Sequence, residues 1–463
     1  MKKQLSFIFI FPCFLLSLAA CQNNETPASE PVEQPMETIQ PEPAAPQEPE
    51  QDSELPQREK DWMEDIEFLR TEYKKRHLDP FYLCTEEEFD WKLDQLAGRV
   101  AELSDNDITF EIMAIIAGMG DVHTYVQQYA PLYDRRFPVR AEYFGGKLYL
   151  TACLEGFEQF APYLLQEIVA VNGVHIGYLN KKAESIIAPF NSWAGRETFD
   201  TMYFLPAFFD WAGCNYKKSY TFQILNENGE MESIEVPDTS NVEREGKEWI
   251  YPENWEQLIY KRDENWVKYI DGANGGCVCM SFKNPRTYVS SIERLVNDTA
   301  YHLAANPECH KMVIDLREHP GGSHQCMGVF AKGIEQLKAE QVYVLTGGTT
   351  GSSAMLYMAY FKDALDAVTV GEPAGQFSSF FYGKIEPSIL PHSQIGVQIA
   401  DLWWNPAEEL ARWGAQPIAD ECYNENGRLY PWENTILPDV YVYQDIEDIR
   451  QGKDSVLEWV LAQ

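Results

Sequence analysis

From Gly276 onward the chain alternates strand-like and helix-like runs, and this alternation limits the fold more than any other feature. Cys277 to Phe282 reads as a strand and Ser290 to Ala305 as a helix. Lys311 to Leu316 is the next strand, followed by a single helix over Ser323 to Leu337. Val342 to Thr346, Ser352 to Leu365 and Val368 to Gly371 continue the series as strand, helix and strand. Repeated βα units place their strands in a mostly parallel sheet with helices packed on it.

Upstream the periodicity changes twice. Trp62, Ile66, Leu69 and Tyr73 fall on one helical face, and Phe89, Leu93, Leu96, Val100 and Leu103 repeat the spacing. Asp105 or Asp107 is expected to cap a third helix, carrying Phe110, Met113 and Ile116 and ending at Gly118 and Gly120. From Phe137 to about Tyr260 short strands are separated by Gly and Asn turns. Glu167–Val171, the pair Asn172-Gly173 and Val174–Ile176 form a hairpin signal, and a helical segment over Leu179–Ile187 follows. The expected divisions are a helical domain over 58–135, a β-rich domain over 136–265 and an α/β domain over 266–463. Together these are about 400 residues, more than one hydrophobic core holds.

The first residues read as an export signal: Lys2 and Lys3, an apolar run over Leu5–Leu18, then Leu18-Ala19-Ala20-Cys21. The apolar run is too short to span a bilayer as a helix. Residues 22–57 carry repeated Pro and Glu with no Lys or Arg, a composition that cannot repay its ordering entropy and reads as an extended linker. The formal charge of −35 argues against nucleic-acid binding, which needs a basic face. Of ten cysteines, Cys13 and Cys21 belong to the leader. The rest are scattered without a CxxC or paired His spacing, so neither a metal nor a cofactor is expected. Cys277 and Cys279 would share one strand face, as buried thiols or in disulfides whose pairing spacing does not assign.

Three segments carry candidate chemistry. Gly120-Asp121-Val122-His123-Thr124 follows an apolar helix and supplies an imidazole. Asp315-Leu316-Arg317-Glu318-His319-Pro320-Gly321-Gly322 closes a strand, and its glycines let backbone N–H groups approach an oxyanion. Thr349-Thr350-Gly351-Ser352-Ser353-Ala354 places a serine where a strand turns into a helix. Taken singly each has a plain structural explanation: a loop histidine, a glycine turn, a helix cap.

Taken in order, they resemble the tail-specific (C-terminal-processing) serine peptidase family, with its Gly-Asp-x-His-Thr, its Asp-x-Arg-x-Asn-x-Gly-Gly and its nucleophile segment. Gly371-Glu372-Pro373, Leu390-Pro391 and Pro438-Asp439 also fit, so the resemblance runs from about Trp62 to the end. It implies an α/β, crotonase-like βα-layered catalytic core with an N-terminal helical domain and a small β-rich, PDZ-like domain. The Ser-Lys branch places Lys shortly after Gly-Glu-Pro, but here Ala374-Gly375-Gln376-Phe377-Ser378-Ser379 follows, with no Lys before Lys384. The chain is instead similar to the tricorn-type branch, which uses a histidine. That carry-over makes Ser352 the nucleophile, His123 the base, and N–H groups of Gly321 or Gly322 and Ser353 the oxyanion donors. Glu433 is implied as the acid orienting His123, with Asp121 as the fallback. His319 and Ala374 depart from the family's usual Asn and Thr.

The Leu-Ala-Ala-Cys ending resembles the lipobox of bacterial lipoproteins, which implies lipidation at Cys21 and an extracytoplasmic, lipid-anchored location on the cell membrane. The expectation is therefore a membrane-anchored serine endopeptidase acting on peptides or unfolded protein segments. Two alternatives stand beside it. One is a non-catalytic peptide- or small-ligand-binding lipoprotein with a cleft built from Tyr203, Phe204, Phe208, Phe209 and Trp211. The other is a hydrolase of another ester or amide.

Overall fold

The computed structural model describes residues 55–463, apart from 82, 128, 188–190, 215–218, 259–264, 284–288, 377–379, 384–385, 405–409 and 415–436. The expected leader with Cys21, almost all of the linker, and Glu433 and Cys422 lie outside the described residues. Among the described residues no helix is long and apolar enough to cross a membrane.

Helices α1 (Gln57–Arg76), α2 (Glu86–Ala97) and α3 (Asp105–Ala117) open the fold. Trp62, Ile66, Leu69 and Tyr73 are all buried on the inner face of α1, as their spacing requires. Burying side chains of this size contributes about 1.5–3 kcal/mol each. The cap of α3 differs from expectation. Ser104, one residue earlier, accepts from the Asp107 N–H at 3.1 Å, and Asp107 returns the bond to the Ser104 N–H at 3.2 Å. Asp105 instead accepts from the Trp62 indole at 2.9 Å and ties α3 to α1.

An antiparallel sheet follows: β1 (Val139–Phe144), β2 (Lys147–Leu154), β3 (Glu167–Val171), β4 (Val174–His175), β5 (Tyr220–Leu225), β6 (Met231–Val236) and β7 (Trp249–Ile250). Its order is β7-β2-β3-β5-β6, with β1 on β2 and β4 on β3. The β3–β4 hairpin turns at Asn172 (φ 49°) and Gly173 (φ 80°), the left-handed pair that a two-residue turn needs. Helices α4 (Ile176–Ile187) and α5 (Ser192–Thr198) lie between β4 and β5. One hydrophobic core joins α1–α3, this sheet, and Phe199, Tyr203, Phe204, Phe208 and Phe209. The aromatic run is thus packed interior, with Phe208 and Phe209 fully buried.

The second sheet is built from β8 (Trp266–Ile270), β9 (Cys277–Ser281), β10 (Lys311–Asp315), β11 (Gln341–Thr346), β12 (Val368–Gly371) and β13 (Val440–Tyr441), hydrogen-bonded in that order. β8 is antiparallel to β9, and β9 through β13 are parallel. Helices α6 (Val289–Ala305), α7 (Met327–Gly333) and α8 (Ser353–Leu365) are the crossovers, and α9 (Ser455–Ala462) closes the described chain. The expected α/β class is the one observed. The single helix expected over 323–337 is in fact three pieces: a 3₁₀ turn at His324–Cys326, α7, and a 3₁₀ turn at Ile334–Leu337. Gly333, at φ −99° and ψ 3°, leaves helical geometry and ends the middle piece. The seven described cysteines are all unpaired.

Candidate active site

Asp315 pairs with Leu345, and Thr346 with Gly371, so three parallel strands end at one edge of the sheet. The turns after β10, β11 and β12 therefore leave from the same place, where parallel α/β sheets present ligand-binding loops. The turns are laced together. The Thr350 hydroxyl donates to the Leu316 carbonyl at 2.9 Å, the Gly351 N–H to the His319 carbonyl at 3.2 Å, and the Gly375 N–H to the Thr350 carbonyl at 2.8 Å.

Behind the first turn, the Arg317 guanidinium is buried between two carboxylates. It donates to Asp315 at 2.7 and 3.0 Å and to Asp454 at 2.7 and 2.9 Å. Asp454 also accepts from the Val456 and Leu457 N–H groups at the start of α9. The Asp-x-Arg of the sequence is thus the anchor that fixes the base of the glycine turn.

Ser352 sits at the N-terminus of α8 with φ 49° and ψ −123°. Asn274 and Asp366, which also have positive φ, lie in the ordinary left-handed region, but Ser352 does not. The serine between this strand and helix is therefore held in a sparsely populated backbone region. Gly321, at φ 101°, packs directly on it: a Cβ there would lie 2.2 Å from the Ser352 Cβ and 2.9 Å from its Oγ. Only glycine permits this approach.

The three expected oxyanion donors differ in their bonding. The Gly321 N–H donates to His319 Nδ1 at 3.0 Å and is used within its own turn. Among the described residues, the N–H groups of Gly322 and Ser353 have no hydrogen-bond partner. The N-terminus of α8 adds a favourable field for negative charge there. Two buried polar atoms nearby also lack a protein partner: the Ser353 hydroxyl and His319 Nε2. Burial pushes the His319 imidazole down to about 4, so it is neutral.

The imidazole of His123 arrives from the turn after α3. Asp121, buried, holds that turn. It accepts from the His123 backbone N–H at 2.9 Å, the Thr124 hydroxyl at 2.6 Å and His77 Nε2 at 3.1 Å. Thr124 in turn accepts from the Ala400 N–H at 3.0 Å, and the short strand Tyr125–Val126 pairs with Gly396–Gln398. The helical segment is thereby tied to a segment that follows the β12 turn. Burial lowers the His123 imidazole below its ordinary value, and the Asp121 charge offsets part of that.

One side chain links the two halves. Gln376 Oε1 accepts the Ser352 N–H at 2.6 Å, and its Nε2 lies 3.4 Å from His123 Nδ1. The structure thus brings Ser352, Ser353, Gly321, Gly322 and His123 to one place. The bonds of Asp121 run to the backbone of His123, and Glu433 lies outside the described residues. Gln376 and His77 are not singled out by any sequence motif. Gln376 falls in the stretch after Gly371-Glu372-Pro373, and a lone glutamine there carries no pattern.

Among solved structures, the chain is similar to mature CPAF complexed with lactacystin, with a TM-score of 0.52 and 11% identity over 87% of this chain and 97% of that one. It also aligns with the photosystem II D1 C-terminal processing protease, at TM-score 0.37 and 12% identity, over 87% of this chain and 99% of that one. The tricorn protease aligns at TM-score 0.37 and 11% identity, over 87% of this chain and 36% of that one. No family model and no curated protein matches the chain. The likeness to CPAF is one of fold and agrees with the layered architecture described above.

Proposed function

We propose that this chain is an extracytoplasmic serine peptidase, held on the bacterial cell membrane by a lipid on Cys21. Ser352 attacks the peptide carbonyl and His123 takes its proton. The N–H groups of Gly322 and Ser353 hold the oxyanion, and water then clears the acyl-enzyme. Glu433 retains its role as the acid that orients His123. The substrates are peptides or unfolded protein segments.

The observation that carries this reading is the shared neighbour of Ser352 and His123. A strained serine at a helix N-terminus lies one carboxamide away from an imidazole kept neutral by burial. With Gln376 donating to Nδ1, that nitrogen carries the lone pair, on the side where the carboxamide meets the Ser352 N–H. Substrate binding displaces the carboxamide and lets the hydroxyl reach it, since catalytic hydrogen bonds often close only in the complex.

The test is labelling of the full chain by a fluorophosphonate probe, beside cleavage of an unstructured peptide. Both are expected for the wild type, and both should vanish in Ser352→Ala. Labelling that persists in this variant removes Ser352 from the nucleophile role. Cys21→Ala should release the protein from the membrane fraction, and retention there overturns the lipid anchor.

A further inference from the structure

A cavity of about 640 Å³ adjoins the glycine turn, and its charges are unusual for so acidic a chain. Four cations line it: Arg136, Arg140, Arg244 and Lys247. Among the described residues, none of the four forms an ion pair with a carboxylate. Their hydrogen bonds and ring contacts are with neutral groups, although Lys247 also acts through its charge on the Glu158 carboxyl. Arg136 lies over the Tyr133 ring at 4.7 Å, and Lys247 over Phe157 at 5.0 Å. Arg140 lies over Trp249 at 4.2 Å and donates to the Tyr251 hydroxyl at 2.5 Å. Arg244 donates to the Asn241 side chain. Arg135, next along the chain, does take a carboxylate, from Asp238. Asp and Glu number 72 against 37 Lys and Arg, so four unpaired cations in one cavity are not what chance pairing produces.

The cations also repel one another. Burial and then the charge of Arg140 lower the Arg136 guanidinium, and burial and then Arg136 lower Arg244. An anion among them would relieve that repulsion, and the rings under Arg136 and Arg140 leave those guanidinium edges able to donate.

The cavity also holds Glu142, Glu197, Asp200 and Glu318. Two of these belong to the catalytic edge. Glu318 precedes His319 in the glycine turn, and Glu197 accepts from the Thr349 hydroxyl at 3.4 Å, three residues before Ser352. Asp200 is used by the Tyr143 N–H at 3.1 Å. Glu318 and Glu197 thus mark the end nearest Ser352, while the cations come from β1, the segment before it, and the segment leading into β7, with Glu142 of β1 beside them. An acidic ligand would be held among the four cations.

We infer that this cavity takes an acidic stretch of the polypeptide substrate, displaced along the chain from the bond at Ser352. Aspartate or glutamate carboxylates of that stretch meet Arg136, Arg140, Arg244 and Lys247. The volume lies in the range of pockets that enclose a ligand of a few side chains' size. The assignment of the ligand as a substrate rests on the peptidase reading, but its first test does not need hydrolysis.

Binding is measured on full-length Ser352→Ala with two fluorescent peptides, both capped at each end. One contains an Asp-Asp-Glu block and the other Asn-Asn-Gln at the same positions. The acidic peptide should bind at least tenfold more tightly at low salt, with the ratio falling as salt rises. In the Arg140→Ala/Arg244→Ala double variant the ratio should drop below about twofold, because charge-assisted bonds account for it. Lys247→Ala gives a second, independent loss if the double variant folds poorly. Equal affinities, a ratio unchanged in the variants, or a preference that appears only with an uncapped C-terminal carboxylate would each overturn the inference. Wild-type cleavage of the two peptides separates the claims. Cleavage at equal kcat/KM sinks the acidic-stretch inference and leaves the peptidase. Selective binding without any cleavage sinks the peptidase and leaves the cavity as an acidic-peptide site.

Discussion

The backbone of Gly321 rests on Ser352 so closely that a methyl group at position 321 would lie 2.2 Å from the serine's own Cβ. Gly321→Ala must therefore move Ser352, the glycine turn or both, and it also forces a side chain onto φ 101°. Probe labelling and peptide cleavage should fall by about a hundredfold or more, the scale of losing an oxyanion donor. Gly173→Ala is the control. It too has positive φ, at 80°, but nothing lies within 4 Å of the added carbon. It should cost about 1–2 kcal/mol of stability and leave labelling intact. Equal labelling of wild type and Gly321→Ala would show that the close contact is not part of the site.

His319 is fully buried, and burial lowers its imidazole from 6.5 to about 4. Between those values the unfolded chain binds the proton and the folded chain does not. Stability is therefore complete above about pH 6.5 and falls as the pH drops toward 4, by about 3 kcal/mol in total. His319→Asn keeps an acceptor for the Gly321 N–H and removes the titration. Melting temperatures of wild type and variant, followed from pH 7 to pH 4, should diverge, with the variant losing less. Parallel curves would mean that His319 does not stay neutral in the fold.

Much of this site was legible in the sequence, because its parts are local. A glycine pair after a strand, a serine before a helix and a histidine after an apolar helix each leave a mark in a few consecutive residues. What was not legible depends on contacts between distant segments. Gln376 has meaning only because it reaches both Ser352 and His123, and no spacing announces that. Asp121 read as a possible partner for the imidazole, yet its oxygens serve the backbone of the turn and His77. The capping of α3 by Ser104 and the breaking of the helix after Ser323 turn on single residues that a periodicity does not resolve. The four cations of the cavity were invisible because they come from two distant stretches, 136–140 and 244–247, in a chain whose overall charge points the other way.

The Arg317 cluster gives a prediction about stability. Burial alone would push the Asp454 carboxyl up, but the charge of Arg317 and its bonds hold it below the usual carboxylate range. Asp454→Asn removes one of the two carboxylates that pair with the buried guanidinium and weakens the start of α9. Removing one partner of a buried ion cluster typically costs about 3–5 kcal/mol. Thermal unfolding of the variant should show a large loss, with probe labelling reduced even at temperatures where it remains folded. A small loss, under about 1 kcal/mol, would place the cluster among ion pairs that stabilise little.

The last prediction concerns Gln376, whose carboxamide accepts from the Ser352 N–H and faces His123 Nδ1. Gln376→Glu preserves the shape and the acceptor but sets a negative charge against the ring. In the wild type, burial holds the imidazole below its ordinary value, so the neutral base persists into mildly acidic solution. The added carboxylate favours the imidazolium, and the pKa of His123 must rise. In the proposed mechanism the attack on the carbonyl needs the neutral ring, so the acidic limb of kcat/KM should move to higher pH, by about one pH unit or more. At pH well above the new limb the variant should recover most of its rate. Gln376→Met removes the carboxamide without adding charge and should produce no upward move. A Gln376→Glu limb that coincides with the wild type would mean that the group titrating in the rate is not the imidazole beside Gln376, and His123 would lose its place as the base.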